Sequence, residues 1–333
     1  MSSIDAPLDP SSAGGDAQAV DGVRSRPHSS RFEDWDERAA VRVKPLATIT
    51  PGDRARGLFF SPELVPAASH PLVLARGPTA VEKVLAYHLL THLDFTDVLE
   101  NEVVLPVAYM IGRERFALRL PPNMAADARK IAVDEMHHAL LATSLVAEIA
   151  ALSGVAPMAV QRPAFILRLE SILAETDLEL RALVRFFFAV VSETLITGTL
   201  SQVPKDTRVM PGVRQMLRDH AEDETRHHAF FADALMQVWP QLRAHERALI
   251  GPLLPEFISL FITPDPMALG EALSQIGLAR REIDRLKEEA YATERLNRAA
   301  IEGSGVTLRH FRRAGVFEDA RTADAFGAAG FMP

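Results

Sequence analysis

Asp134-Glu135-Met136-His137-His138 and, further along, Asp223-Glu224-Thr225-Arg226-His227 are two copies of one pattern, Asp-Glu-x-x-His, each inside a stretch with helical apolar spacing. Glu and His three residues apart project from the same face of a helix, the geometry needed to hold a metal ion between facing helices. One Glu-x-x-His arises by chance about once in a chain of this size. Two copies, both preceded by Asp and both on apolar helices, are much harder to reach by chance. The Asp has its own rationale, because a ligating His usually donates its second ring N–H to a carboxylate. Asp134 and Asp223 are candidates for that role, the alternative being carboxylates on an exposed helix face.

A two-metal carboxylate bundle also needs one Glu from each of two further helices. Glu193 lies in the apolar run Ala189-Val-Val-Ser-Glu-Thr-Leu-Ile, where an ionised carboxylate is costly unless it meets a cation. Glu100 and Glu102 both occur in Leu99-Glu-Asn-Glu-Val-Val-Leu-Pro, and periodicity leaves both open. His220 stands one turn before Glu224, so His220, Glu224 and His227 share a face and a third His ligand is available. His137 and His228 point about a hundred degrees away from their neighbours and read as non-ligands. His92 either lines a pocket or fills the core. Thr197 and Gly198 could open space near the metals, or form a small-residue packing notch. Phe186-Phe187-Phe188 reads as core.

Around these motifs the pattern predicts an all-α protein. Expected helices cover Thr79–Gly112, Pro122–Leu152, Ala164–Glu175, Leu178–Leu200, Pro211–Trp239, Arg243–Phe261 and Pro266–Arg295, with Asn123 helping to start the second. Residues 1–40 are polar enough to read as a disordered tail. Residues 41–322 read as a single domain, entered through an irregular Pro- and Gly-punctuated arm, and 323–333 as a C-terminal tail. The 333 residues include no Cys, which excludes disulfides, thiolate metal sites and Cys nucleophiles, so any metal must rest on His and carboxylates. A net charge of -8 argues against nucleic acid. The start lacks a signal-peptide pattern, and no later stretch looks apolar enough to span a membrane, so a soluble cytoplasmic protein is expected.

The ordered set Glu63-Leu-Val-Pro…His70-Pro-Leu, Glu100 six residues before Pro106, Asp134-Glu135-x-x-His138, Ser192-Glu193-Thr194 and His220-x-x-Asp223-Glu224-Thr225-x-His227 resembles the AurF-like di-iron N-oxygenases. The resemblance runs from about Glu63 to Phe311 and implies a ferritin-like four-helix bundle core with additional helices. It implies Glu100, Glu135, His138, Glu193, His220, Glu224 and His227 as metal ligands, choosing Glu100 over Glu102 by the spacing to Pro106. It further implies two iron ions, O2 as co-substrate, an external electron donor such as a reductase or small redox protein, and a homodimer. The reaction expected is oxidation of an amine to hydroxylamine, nitroso or nitro, in a natural-product biosynthetic pathway. Leu308-Arg309-His310-Phe311 resembles the segment that binds a substrate carboxylate, which points to Arg309; His92 stands where aminobenzoate-type members carry Tyr.

Three other readings compete. A ferritin-like iron-binding or storage protein shares the Glu and Glu-x-x-His pattern but does not account for His220. A helical interaction module would need costly buried ion pairs. A radical-forming oxidase would need a Tyr beside the metals, and only Tyr87, Tyr109 and Tyr291 exist.

Overall fold

A computed structural model describes residues 27–331 apart from 56, 158–161 and 196–197. Its longest elements begin where the chain forces them to: Pro78, Pro122 and Pro211 each occupy the first helical turn, where a missing N–H costs nothing. Helix α1 runs Pro78–Leu99, widens into a π turn at Glu100–Val104 and continues as Leu105–Gly112. Pro106 explains the widening, since a proline ring clashes with the carbonyl four residues back in a regular α-helix. Helix α2 is Pro122–Ser153, closed by Gly154 in the left-handed conformation (φ 66°). Helix α3 is Ala164–Glu175, α4 is Arg181–Thr194 and α5 is Pro211–Val238.

Helices α1, α2, α5 and α4 pack in a closed ring, each touching the next. Around them lie α6 (Ala244–Ile262), α7 (Pro266–Gln275), α8 (Arg280–Ala290), α9 (Thr293–Ala314) and α10 (Ala320–Ala328). Among the described residues there is no strand, only an isolated bridge between Leu58 and Val209. The fold is all-α, as the periodicity predicts.

The apolar core falls into two bodies stacked along the bundle. On α1 the buried apolar residues belong to one body up to Leu93 and to the other from Val103; on α2 the change comes between Ile131 and Leu141, and on α5 between Leu217 and Phe230. Each change brackets a predicted metal-binding motif, so one polar layer crosses the bundle between the two cores. Phe186, Phe187 and Phe188 are fully buried in one core, contributing about 1.5–3 kcal/mol each by burial.

Several expectations are corrected. The helix expected over Leu178–Leu200 ends at Thr194, with Leu195 extended; the Ser192 and Thr194 hydroxyls bond back to the Ala189 and Val190 carbonyls, a competition that weakens a helix end. The stretch Pro266–Arg295 is interrupted at Gly277, which takes φ 81°. Asn123 does not cap α2 but donates to the His28 carbonyl. The C-terminal stretch expected as a tail includes most of α10, and Phe326 and Phe331 are buried. Contrary to the membrane expectation, Pro122–Ser153, Leu178–Lys205 and Ala244–Gln275 are long and apolar enough to cross a membrane by length and composition.

Within the expected N-terminal tail, residues 28–40 form a strap across α2 and α5. Phe32, Ala39 and Ala40 are buried, and so is most of Trp35. His28 pins one end, with Nε2 2.8 Å from Asp127 on α2 and Nδ1 3.2 Å from Asp233 on α5. Lys44 pins the other by donating to Asp219 and Glu222. Burial would depress the His28 pKa, but hydrogen bonds and charge from Asp127 and Asp233 raise it from 6.5 to about 9. A raised folded-state pKa stabilises fully below the unfolded value of 6.5, and the gain disappears as pH climbs through about 9. Thermal unfolding should therefore show wild type several degrees above His28→Gln at pH 6, with the two curves converging by about pH 10. A gap independent of pH would show that His28 acts through packing alone.

Candidate metal centre

The polar layer is assembled from the helix phases just described. The π turn resets the phase of α1 and directs Glu100 inward, where it is 3% exposed, whereas Glu102 faces out and pairs with Arg162. Glu135 and His138 enter from α2, Glu193 from the end of α4, and His220, Glu224 and His227 from α5. The seven residues that the resemblance implies as ligands thus come together from four helices.

One oxygen forms the hub. Glu224 Oε1 lies 3.2 Å from His138 Nδ1, 3.3 Å from His220 Nε2 and 3.2 Å from His227 Nδ1. Glu135 approaches two of these rings, Oε2 at 3.0 Å from His138 Nδ1 and Oε1 at 3.0 Å from His227 Nδ1. Glu100 Oε1 is 3.5 Å from His220 Nε2, and Glu193 Oε2 is 4.0 Å from His227 Nδ1. Three overlapping sets have donor atoms close enough to share an ion: Glu100, His138, His220 and Glu224; Glu135, His138, Glu224 and His227; and Glu100, Glu135 and Glu193.

The donor chemistry fits cations. Glu100 Oε2, Glu135 Oε1, Glu193 Oε2, Glu224 Oε1 and His227 Nδ1 are buried without a hydrogen-bond partner, although several have a complementary atom near 3 Å. These atoms face a common space. Buried groups left this way are expensive unless an ion fills the gap.

The outer nitrogens show an exchange between the two motifs. His227 Nε2 meets Asp134 Oδ2 at 3.2 Å, and His138 Nε2 meets Asp223 Oδ2 at 3.3 Å, so each Asp holds the His of the opposite helix. Asp134 and Asp223 are 0% and 1% exposed, which excludes the reading of both as surface carboxylates. With Nε2–H committed outward, Nδ1 presents its lone pair inward when the imidazole is neutral.

Electrostatics without an ion show how strained the layer is. Burial, reinforced by the Glu135 and Glu224 charges, raises Glu100 to about 8 against the favourable pull of His220. Burial and the neighbouring carboxylates hold Glu193 well above the usual range. Burial opposes the charge on His138 and His227, but the surrounding carboxylates override it and hold both imidazoles well above their ordinary value. Burial also opposes ionisation of Glu224, yet His227, His138 and His220 hold it far below the usual range.

A family model described as P-aminobenzoate N-oxygenase AurF matches residues 32–303. The chain belongs to this family. It is 24% identical over 226 residues to the 4-aminobenzoate N-oxygenase of Streptomyces thioluteus, covering 66% of each chain, just under two thirds of that relative's length. The AurF match begins at Phe32 and so takes in most of the strap, but it stops short of Arg309.

The AurF-like residues expected outside the cluster fare unevenly. Arg309 is exposed on α9 and lies alongside Gly305 of its own helix. Its neighbour His310 is the one that turns toward α5, with Nε2 3.1 Å from His228 Nε2. His92 stays outside the three candidate sets; burial, with the charges of His88 and His220, lowers its pKa to about 3, so the ring is neutral. Thr197 lies outside the described residues. His137 and His228 also stay outside the three sets. Sequence reasoning missed Phe32, Trp35 and Arg226. Phe32 stacks on His227 at 6.2 Å and 14°, Trp35 donates to Asp134, and Arg226 donates to Asp223. The available signal was an aromatic pair three residues apart in an otherwise polar segment.

Because the surrounding carboxylates favour the protonated forms of His138 and His227, divalent cations entering the layer should compete with those protons. Loading the metal-free protein with Fe(II) or Co(II) in dilute buffer should release at least about one proton per chain, read by a pH indicator or by the buffer dependence of the calorimetric heat. Glu224→Gln should abolish both uptake and release. Uptake without proton release would contradict the charge state described.

Proposed function

We propose that the chain is a non-haem di-iron oxygenase that uses O2 to oxygenate the nitrogen of a small-molecule amine. The observation that carries this reading is the convergence of three imidazole nitrogens on Glu224 Oε1 within a layer of orphaned carboxylate oxygens. Glu100, Glu135, His138, Glu193, His220, Glu224 and His227 would hold two iron ions. Bound there in the reduced form, the ions supply activation of O2. The balance for one oxygenation is amine plus O2, two electrons and two protons giving hydroxylamine and water, the electrons coming from a reductase or small redox protein.

The protein's own part is orientation and exclusion of water. Asp134 and Asp223 fix the ring planes of His227 and His138. Glu135, His138 and His227 are fully buried between the two apolar cores, whereas the Glu224 side chain is 19% exposed, so among these four only Glu224 meets solvent. His92, kept neutral by burial, would meet a substrate without adding charge. The substrate named for the relative carries a carboxylate. Arg309, exposed on α9 beside the His310 that contacts His228, is our proposed partner for such a group.

We place the protein in the cytoplasm, in a biosynthetic pathway, as a homodimer. Val133, Met136 and Leu140 form an exposed apolar stripe on α2, spaced as residues facing a second helix would be.

Two measurements test the reading. Elemental analysis of iron-loaded protein should give about two irons per chain, the stoichiometry of a di-iron carboxylate bundle. Reduced, iron-loaded protein given O2 and a panel of aromatic and aliphatic amines should yield products heavier by oxygen, labelled when the gas is isotopically enriched. Two irons with no amine product would leave iron storage as the function.

A further inference from the structure

We propose that Trp35, in the N-terminal strap, is a positioning residue for the metal centre: its indole N–H holds Asp134, and Asp134 holds His227. The inference rests on the metal-centre reading above and adds to it a residue that does not touch the proposed ions.

The geometry is specific. Trp35 Nε1 lies 2.9 Å from both carboxylate oxygens of Asp134, a forked bond that restrains the carboxylate plane. Oδ2 of the same carboxylate then meets His227 Nε2 at 3.2 Å, and His227 Nδ1 faces Glu135 and Glu224. Asp134 is 0% exposed. With the indole removed, one oxygen of a buried carboxylate loses its donor and the other is free to rotate, carrying the imidazole with it.

The strap holds the same ring in a second way. Phe32 stacks on His227, and the Phe32 carbonyl is tied to α2 by Lys130 Nζ at 2.6 Å. The opposite motif is held differently: Asp223 receives the Ala40 backbone N–H at 3.2 Å and the Arg226 guanidinium from its own helix. Asp223 therefore keeps a charged local donor whatever the strap does. Asp134 depends on the strap for its second donor, which makes Trp35 the more consequential of the two contacts. Packing alone does not explain the placement, because the indole N–H is directed at a carboxylate in line with a proposed ligand.

The test uses the full chain loaded with Co(II), whose visible bands report ligand geometry. Wild type, Trp35→Phe, Asp134→Asn and the double variant are compared by the rate at which EDTA extracts the metal and by those bands. Trp35→Phe should lose cobalt about 10- to 100-fold faster than wild type. Its bands should shift in the same sense as those of Asp134→Asn, while the far-UV circular dichroism of the metal-free protein is unchanged. The double variant should release no faster than Asp134→Asn alone, because both changes cut one chain of contacts. Wild-type extraction rates in Trp35→Phe, or effects that multiply in the double variant, overturn the proposal while leaving the metal centre intact. Failure of wild type to bind cobalt would instead overturn the metal centre itself. Should Trp35→Phe misfold, benzothienylalanine at position 35 in a Trp239→Phe background keeps the ring shape and removes only the donor; normal extraction there also overturns the proposal.

Discussion

Four carboxylates, Glu100, Glu135, Glu193 and Glu224, converge in the middle of an apolar bundle, and every other feature of the layer answers that constraint. Removing a carboxylate from water costs several kcal/mol even after a protein relaxes around it. Three imidazoles supply part of the compensation, drawing protons against the effect of burial. They do not complete it, because five buried polar atoms still lack partners. A cation would meet the donor atoms that remain.

Position on the helix, rather than side-chain chemistry, decides which residues take part. Glu100 and Glu102 are the same residue type two places apart, yet one is buried among the His side chains and the other pairs with Arg162 in solvent. His227 and His228 are adjacent, and only the first belongs to the cluster; the second contacts His310 on α9. The doubled motif has the same character, since Asp, Glu and His within five residues serve three directions at once. Glu and His face inward, while Asp reaches across to the neighbouring helix.

Much of this was legible in the chain because it depends on local spacing. Helical periodicity marks α1 to α6, and the two Asp-Glu-x-x-His strings mark where the core must be interrupted. The less legible parts come from contacts distant in sequence or from small phase changes. Periodicity could not separate Glu100 from Glu102 because the π turn at Glu100–Val104 shifts the helical phase there. The strap escaped notice because its composition averages to that of a solvated tail, while Trp35 is buried against Asp134 and Phe32 against His227, both distant in sequence. That Asp134 would serve His227 rather than His138 depends on how α2 and α5 meet, which no spacing within either helix encodes.

The reciprocal Asp–His contacts also act as a register lock. Helix α2 passes from one apolar body to the other while α5 passes in the reverse sense, so the two run antiparallel and the paired contacts are related by an approximate dyad between them. Sliding either helix by one turn, about 5.4 Å, would break both pairs together, with no neighbouring register in which one could re-form. Greasy helices otherwise tolerate such slips, and here two hydrogen-bonded pairs make the alignment all-or-none.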